Sequence, residues 1–219
     1  MKRCADCESE GDSMDLWMQI KTMFDESKRQ VKIFEAADDQ GAKDLAVLGA
    51  SPETAFGAII ANTSGIVVDN WISILGQTST QRAGVADFNA RMEADFGGML
   101  VVAVDLVGGL FALNMGRFDE DKGLVWYFAP DTLSWESLES KYSEFIAWVA
   151  QGDIDGFYQT FRWDNWELDV WDVDGFNSGM LIYPYLWSRE CSIETASKNV
   201  VPLKEIIGIN LDFEKQFSS

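Results

Sequence analysis

The chain is predicted to fold as an α+β protein, a twisted, mainly antiparallel sheet with helices packed on it, and three observations carry that expectation. Residues 97–135 hold three strand-length apolar runs, 99–105, 109–114 and 124–129, rich in Val, Leu and aromatic side chains. Val107-Gly108-Gly109 is short enough for a hairpin turn, and 115–123 is a polar loop with a glycine near each end, so the three runs read as a meander. Apolar residues at helical spacing flank this block on both sides, and neither an internal repeat nor a low-complexity linker interrupts the chain.

Taken in order, residues 1–12 carry Cys4 and Cys7 amid mixed charge and read as a flexible tail, with one domain over 13–219. Ser13 offers a helix cap, and Leu16, Trp17, Ile20, Met23 and Phe24 then define an amphipathic helix reaching about Arg29. Val31, Ile33 and Phe34 suit a short strand. Asp38-Asp39-Gln40-Gly41 breaks the chain, and 42–48 supplies another helical turn or two. Ser51 before Pro52 starts a helix that Thr63-Ser64-Gly65 stops. Residues 66–69 and 71–76 are two strands, and the polar connection 77–98 holds a helical segment before the meander. Beyond it, 131–139 reads as a polar bridge, a helix runs from Tyr142 to Gly152, and 154–161 is a second helical piece. Trp163, Trp166, Trp171 and Trp187 follow, the first three interleaved with Asp164, Glu167, Asp169, Asp172 and Asp174. Residues 180–187 and 200–203 are late strands or extended segments, and 204–211 closes the fold.

The composition bounds function mostly by exclusion. There is no histidine, so Ser-His-Asp and Cys-His mechanisms and imidazole zinc sites are ruled out. No Gly-x-x-x-x-Gly-Lys-Ser/Thr stretch occurs, and Gly97-Gly98 and Gly108-Gly109 lie in hairpin surroundings where no phosphate loop is expected. Seventeen basic against 36 acidic residues give a net charge of −19. Such a chain is repelled by phosphate backbones and anionic lipid, so the expected partner is another protein, of basic character, and neither nucleic acid nor membrane; the acidity also serves solubility. Three cysteines and the lack of a long apolar run point to the cytoplasm. Cys4-x-x-Cys7 is half of a metal site without its other half. Gly152-Asp153-Ile154-Asp155-Gly156 and Asp172-Val173-Asp174-Gly175 resemble calcium loops but lack the later oxygen ligands, and surface turns account for them. No metal, cofactor or catalytic residue is assigned. The one enzymatic possibility open to these residues is a carboxylate pair with aromatic platforms, as in glycoside hydrolysis, drawn from Asp164, Glu167 and Asp169.

Two resemblances add to this reading. Ala61-Asn62-Thr63-Ser64-Gly65-Ile66-Val67-Val68-Asp69, the segment 71–76, Val107-Gly108-Gly109-Leu110-Phe111-Ala112-Leu113-Asn114 and Tyr127-Phe128-Ala129-Pro130-Asp131-Thr132-Leu133-Ser134-Trp135 resemble an uncharacterised bacterial family, a domain of unknown function. Tyr142-Ser143-Glu144-Phe145 and Tyr183-Pro184-Tyr185-Leu186-Trp187 extend the likeness, which covers the chain from about residue 45 and leaves the tail before Ser13 outside. More distantly, the order of an N-terminal helix, a helix ending in Asn-x-x-Gly, the 71–76 strand, a Gly-Gly hairpin and an aspartate-bearing turn before a further helix is similar to the SUKH superfamily of Smi, Knr and Syd-type proteins. That similarity implies an α+β sheet domain and a binding role, since many members are immunity proteins that mask toxins. The expected function is a non-enzymatic protein-binding module of the toxin-immunity kind, with Trp163, Asp164, Trp166, Glu167, Asp169 and Trp171 as binding residues. The alternative is a small-molecule or carbohydrate-binding domain built on the same aromatics.

Overall fold

A computed structural model describes residues 15–36 and 39–217. The expected tail and the Ser13 cap lie outside the described residues. The fold is α+β. Seven strands form one sheet in the order of the chain, every neighbouring pair antiparallel: β1 Val31–Glu35, β2 Thr63–Val68, β3 Ile72–Leu75, β4 Met99–Asp105, β5 Leu110–Asn114, β6 Val125–Ala129 and β7 Ser134–Ser140. A separate two-stranded sheet pairs β8 Ser178–Tyr183 with β9 Ser197–Pro202. Eight helices are present among the described residues: α1 Leu16–Asp25, α2 Gln40–Leu48, α3 Ala55–Asn62, α4 Val85–Phe96, α5 Tyr142–Gln151, α6 Ile154–Phe157, α7 Trp166–Asp169 and α8 Leu203–Phe217.

Both faces of the large sheet are covered, which explains why its strands read as unbroken apolar runs. Successive side chains on a strand point to opposite faces, so alternate residues enter two different cores. On β5 and β6, Phe111, Val125, Tyr127 and Ala129 join Phe24 of α1, Ile59 of α3 and Phe145 of α5 on one side. Leu110, Ala112, Trp126 and Phe128 join Leu45 of α2, Phe96 of α4 and Leu203 of α8 on the other. A bulge between Val101 and Ala103 lets Val102 and Ala103 share the first face. Asn89 of α4 stitches that irregularity, its side chain accepting the Val101 N–H at 2.7 Å and donating to the Val101 carbonyl at 2.8 Å.

Several boundaries differ from expectation, among them four in the first two-thirds of the chain. Helix α1 ends at Asp25, where the sequence suggested about Arg29, and residues 26–30 become a connection that matters below. Helix α3 begins after Thr54, whose hydroxyl accepts the Gly57 N–H at 3.1 Å, so Pro52 sits in the preceding turn and not at the first helical position. Thr63, Ser64 and Gly65 follow the end of α3 at Asn62, as expected of a helix stop, but already belong to β2, which begins three residues before the expected 66. The supposed polar bridge 131–139 is largely strand β7, whose Ser and Glu residues suit a half-exposed sheet edge.

Candidate functional site

A cleft of about 650 Å³ is walled by the 26–30 connection, the β2–β3 turn, the α5–α6 junction and the segment carrying Trp166 and Trp171. Its floor is built around a turn. Asp69 and Asn70 both take positive φ, 55° and 50°, a conformation Asn and Asp tolerate better than other side-chain-bearing residues. The turn projects two polar side chains in different directions. Asn70 is buried, donates to the carbonyls of Val170 (3.3 Å) and Trp171 (2.8 Å), and accepts from Lys32 at 2.9 Å. It thereby ties the tryptophan segment to the sheet.

Asp69 faces the cleft. One of its oxygens accepts the Gln30 N–H at 3.0 Å and the other accepts Arg29 Nη1 at 2.8 Å. Arg29 also donates to both oxygens of Asp155, at 3.1 and 3.3 Å, and to the Gly152 carbonyl at 3.2 Å. Asp153 caps α6 by accepting the Gly156 N–H at 2.8 Å, which sets Asp155 in the first helical turn. From there Asp155 holds a second guanidinium, Arg162 Nη1, at 2.5 Å. Arg162 Nη2 lies 4.0 Å from Asp69, closing a ring of two arginines and two aspartates. The hydrogen bond from Arg29 holds the Asp155 carboxyl below its ordinary value, while burial pulls Arg162 down from its own. The Arg162 side chain is only 7% exposed and is sandwiched by rings, 4.0 Å from the Trp166 centroid and 4.9 Å from that of Trp71.

Trp71 anchors the whole assembly. It is fully buried at the foot of the β2–β3 turn and packs on Tyr158, Trp163 and Trp166 at centroid distances of 5.5, 6.0 and 5.0 Å. The sequence-predicted binding residues therefore separate into two groups. Trp166, Glu167 and Trp171 line the cleft. Trp171 is 59% exposed, and its neighbour Leu168 is 76% exposed. Trp163, by contrast, belongs to the core at 6% exposure and donates its indole N–H to Asp169 at 2.7 Å, while Asp164 is exposed and accepts no cleft contact, its backbone N–H reaching Glu194 at 3.3 Å. Asp164 and Asp169 do not line the cleft.

Sequence reasoning missed Arg29, Asp69, Asn70, Asp155 and Arg162. Arg29 meets Asp69 and Asp155 across 40 and 126 residues, and although Asp155 and Arg162 are seven apart, no local pattern marks the group as one cluster. Asp155 does lie in one of the aspartate-glycine turns noted from sequence, where it holds guanidinium groups.

A second polar node lies deeper, on the β4–β5 hairpin. Asp105 is fully buried; its Oδ1 accepts the N–H groups of Val107 (3.1 Å) and Gly109 (2.7 Å), and its Oδ2 accepts the hydroxyls of Tyr127 (2.7 Å) and Tyr158 (3.1 Å). Burial raises its carboxyl above the ordinary value, against the opposing pull of those four hydrogen bonds. A side chain at Gly109 would sit 2.2 Å from Asp105 Oδ2, so glycine is what lets the carboxylate reach the turn. Neither node is arranged as a glycosidase pair: the acid partner there needs a raised pKa beside the substrate, whereas Asp155 is lowered and Asp105 has no opening to solvent.

Residues 9–206 match the family described as a protein of unknown function, DUF2625. The chain belongs to DUF2625. The match starts ahead of Ser13, so the family's span takes in part of the segment read above as a tail outside the likeness. Among relatives, the uncharacterised protein YbfG of Escherichia coli K12 is 31% identical over 204 residues, 92% of this chain and 93% of its own. An uncharacterised protein of Haemophilus influenzae Rd is 29% identical over 208 residues, 92% of this chain and 91% of its own. The DUF2625 relatives thus cover the fold and the cleft alike without naming an activity. No helix among the described residues is long and apolar enough to cross a membrane.

Proposed function

We propose that this DUF2625 protein is a non-enzymatic, cytoplasmic binding protein whose working surface is the acidic, aromatic segment 163–174, and that its partner is a protein with a basic face. The observation that carries the reading is the exposure of Leu168 and Trp171 in the middle of exposed Asp164, Glu167, Asp169 and Asp172. Large apolar side chains ringed by like charges are the composition of an interface anchor: the rings exclude water on contact, and the carboxylates speed encounter with a cationic surface and discourage other partners. The segment is also rigidly backed, with Trp163 in the core and the Val170 and Trp171 carbonyls held by Asn70. A rigid anchor loses little conformational freedom on binding. The SUKH-like order of elements in the sequence extends this reading to toxin immunity, in which the bound partner would be a basic toxin masked by the acidic face.

Affinity capture from the native host, at low and at high salt, tests the proposal. The wild-type protein retains a specific partner that high salt weakens, a Leu168→Asp/Trp171→Ala variant loses it, and a Val47→Asp variant, altered at an exposed apolar residue elsewhere, keeps it. Recovery of no partner under either condition, or equal recovery by all three proteins, contradicts the proposal.

A further inference from the structure

The cleft floor differs in charge from the outer face of the segment, and the difference bears on what could lie in it. Asp69 and Asp155 each already hold a guanidinium, and Arg29 is matched by both carboxylates. An incoming cation would have to compete with Arg29 and Arg162 for the same oxygens. An incoming anion would find Lys28 on the walls but also Glu26 and Glu167, in a chain carrying a net charge of −19. Neither sign gains much from such a site. What the floor offers is closely spaced hydrogen-bond donors and acceptors, the guanidinium and carboxylate groups together with Gln30 and Gln151, beside the indole faces of Trp166 and Trp171. A ligand that uses both kinds of polar group and an aromatic face at once is neutral, many-hydroxylated and ring-shaped, because each hydroxyl donates once and accepts as well.

A second cavity of about 330 Å³ adjoins the first, and the two share Asn70 and Trp171. It repeats the mixture: Lys32 and Arg82 stand with Asp172 and Asp174 around it, next to Phe34. Arg82 lies 3.7 Å from the Phe34 ring centroid, so this guanidinium is also partly occupied. Trp171 is the common wall, held at its carbonyl by Asn70 and exposed on its ring. We infer that the two cavities form one groove for a neutral oligosaccharide, with the Trp171 indole as the central platform on which a sugar ring stacks and the Arg29–Asp69–Asp155 cluster hydrogen-bonding the unit on one side of it. This goes beyond the protein-binding reading: the two share the Trp171 ring and part at Leu168, which is exposed and lines neither cavity.

The test uses the full chain with maltotetraose, cellotetraose and chitotetraose as probes, and a hexa-arginine peptide and citrate as charged competitors. Saturation-transfer NMR reports binding from the ligand side. The Trp171 indole N–H signal, identified by its loss in Trp171→Phe, reports where binding occurs. At least one tetrasaccharide is expected to show saturation transfer and to shift that signal, with affinity reduced at least about tenfold in Trp171→Ala and in Asp155→Ala and unchanged in Val47→Asp. Urea unfolding of the variants verifies that the fold is retained. Absence of transfer to all three sugars, movement of the Trp171 signal by the peptide or citrate alone, or sugar binding that survives Trp171→Ala overturns the inference. Loss of the protein partner in affinity capture bears on the other reading and leaves this one standing.

Discussion

Asp105 makes the most quantitative prediction, because a fully buried carboxyl with a raised pKa imposes a pH dependence of known sign. In the unfolded chain its proton leaves near the ordinary value of 3.8, whereas the folded protein retains it to higher pH. Between those two points the native state binds more protons than the unfolded state, so this group makes stability fall as pH rises. The slope reaches at most about 1.36 kcal/mol per pH unit inside the window and vanishes above it. Asp105→Asn abolishes the slope while keeping the shape: the amide oxygen still accepts from Val107 and Gly109, and the amide nitrogen faces the hydroxyl oxygens of Tyr127 and Tyr158. Those hydroxyl protons lose their acceptor, a pH-independent offset of about 1–3 kcal/mol. Urea unfolding of both proteins across about pH 4 to 7 separates the two effects, since every other carboxyl cancels in the difference. The variant's stability relative to wild type climbs as pH rises from the acid end. Parallel curves throughout would refute the assignment of a raised pKa to Asp105. Asp155 has the opposite sign: its contribution is present above the ordinary value and lost as pH falls through its lowered one, and with 70% of its side chain exposed it is the smaller effect.

Three further outcomes follow from the same structure. Trp71→Ala removes a fully buried indole shared by Tyr158, Trp163, Trp166 and Arg162 and costs about 3–5 kcal/mol of unfolding free energy; a loss below about 1 kcal/mol would contradict its role as anchor. Arg29→Ala strips hydrogen bonds from Asp69 and Asp155, costs about 1.5–3 kcal/mol, and moves the Asp155 carboxyl back up toward its ordinary value in a carbon-13 NMR titration. Leu168→Asp and Trp171→Ala, both at exposed positions, leave stability within about 0.5 kcal/mol of wild type by urea unfolding; a larger loss would mean these side chains support the fold and are not free for a partner.

The fold was more legible in the sequence than the site. Strand β4 carries the residues its apolar run indicated, and β5 and β6 fall within one residue of theirs, because a sheet covered on both faces leaves long unbroken apolar runs between glycine turns. Strand β7 was hidden by its own edge position, where Ser and Glu satisfy the exposed face and only Trp135 and Leu138 reach the two cores. The tryptophan-aspartate segment stood out by composition, yet composition does not say which ring faces inward. Trp163 and Trp171 look alike in sequence and differ about tenfold in exposure, because Asp169 draws one indole into the core while Asn70 holds the other's backbone at the rim. The guanidinium-carboxylate floor was invisible, since it is assembled by the β2–β3 turn, the connection after α1 and the start of α6, and depends on pairing that only the folded sheet creates.

The central claim, that segment 163–174 is the working surface, is tested most directly by placing a photoreactive benzoylphenylalanine at position 171 in the native host and irradiating living cells. A single discrete protein adduct is predicted at 171, and again with the probe at 168, but not at the exposed positions 47 or 115 on other parts of the molecule. No adduct at 168 and 171, or the same adducts at all four positions, would contradict it.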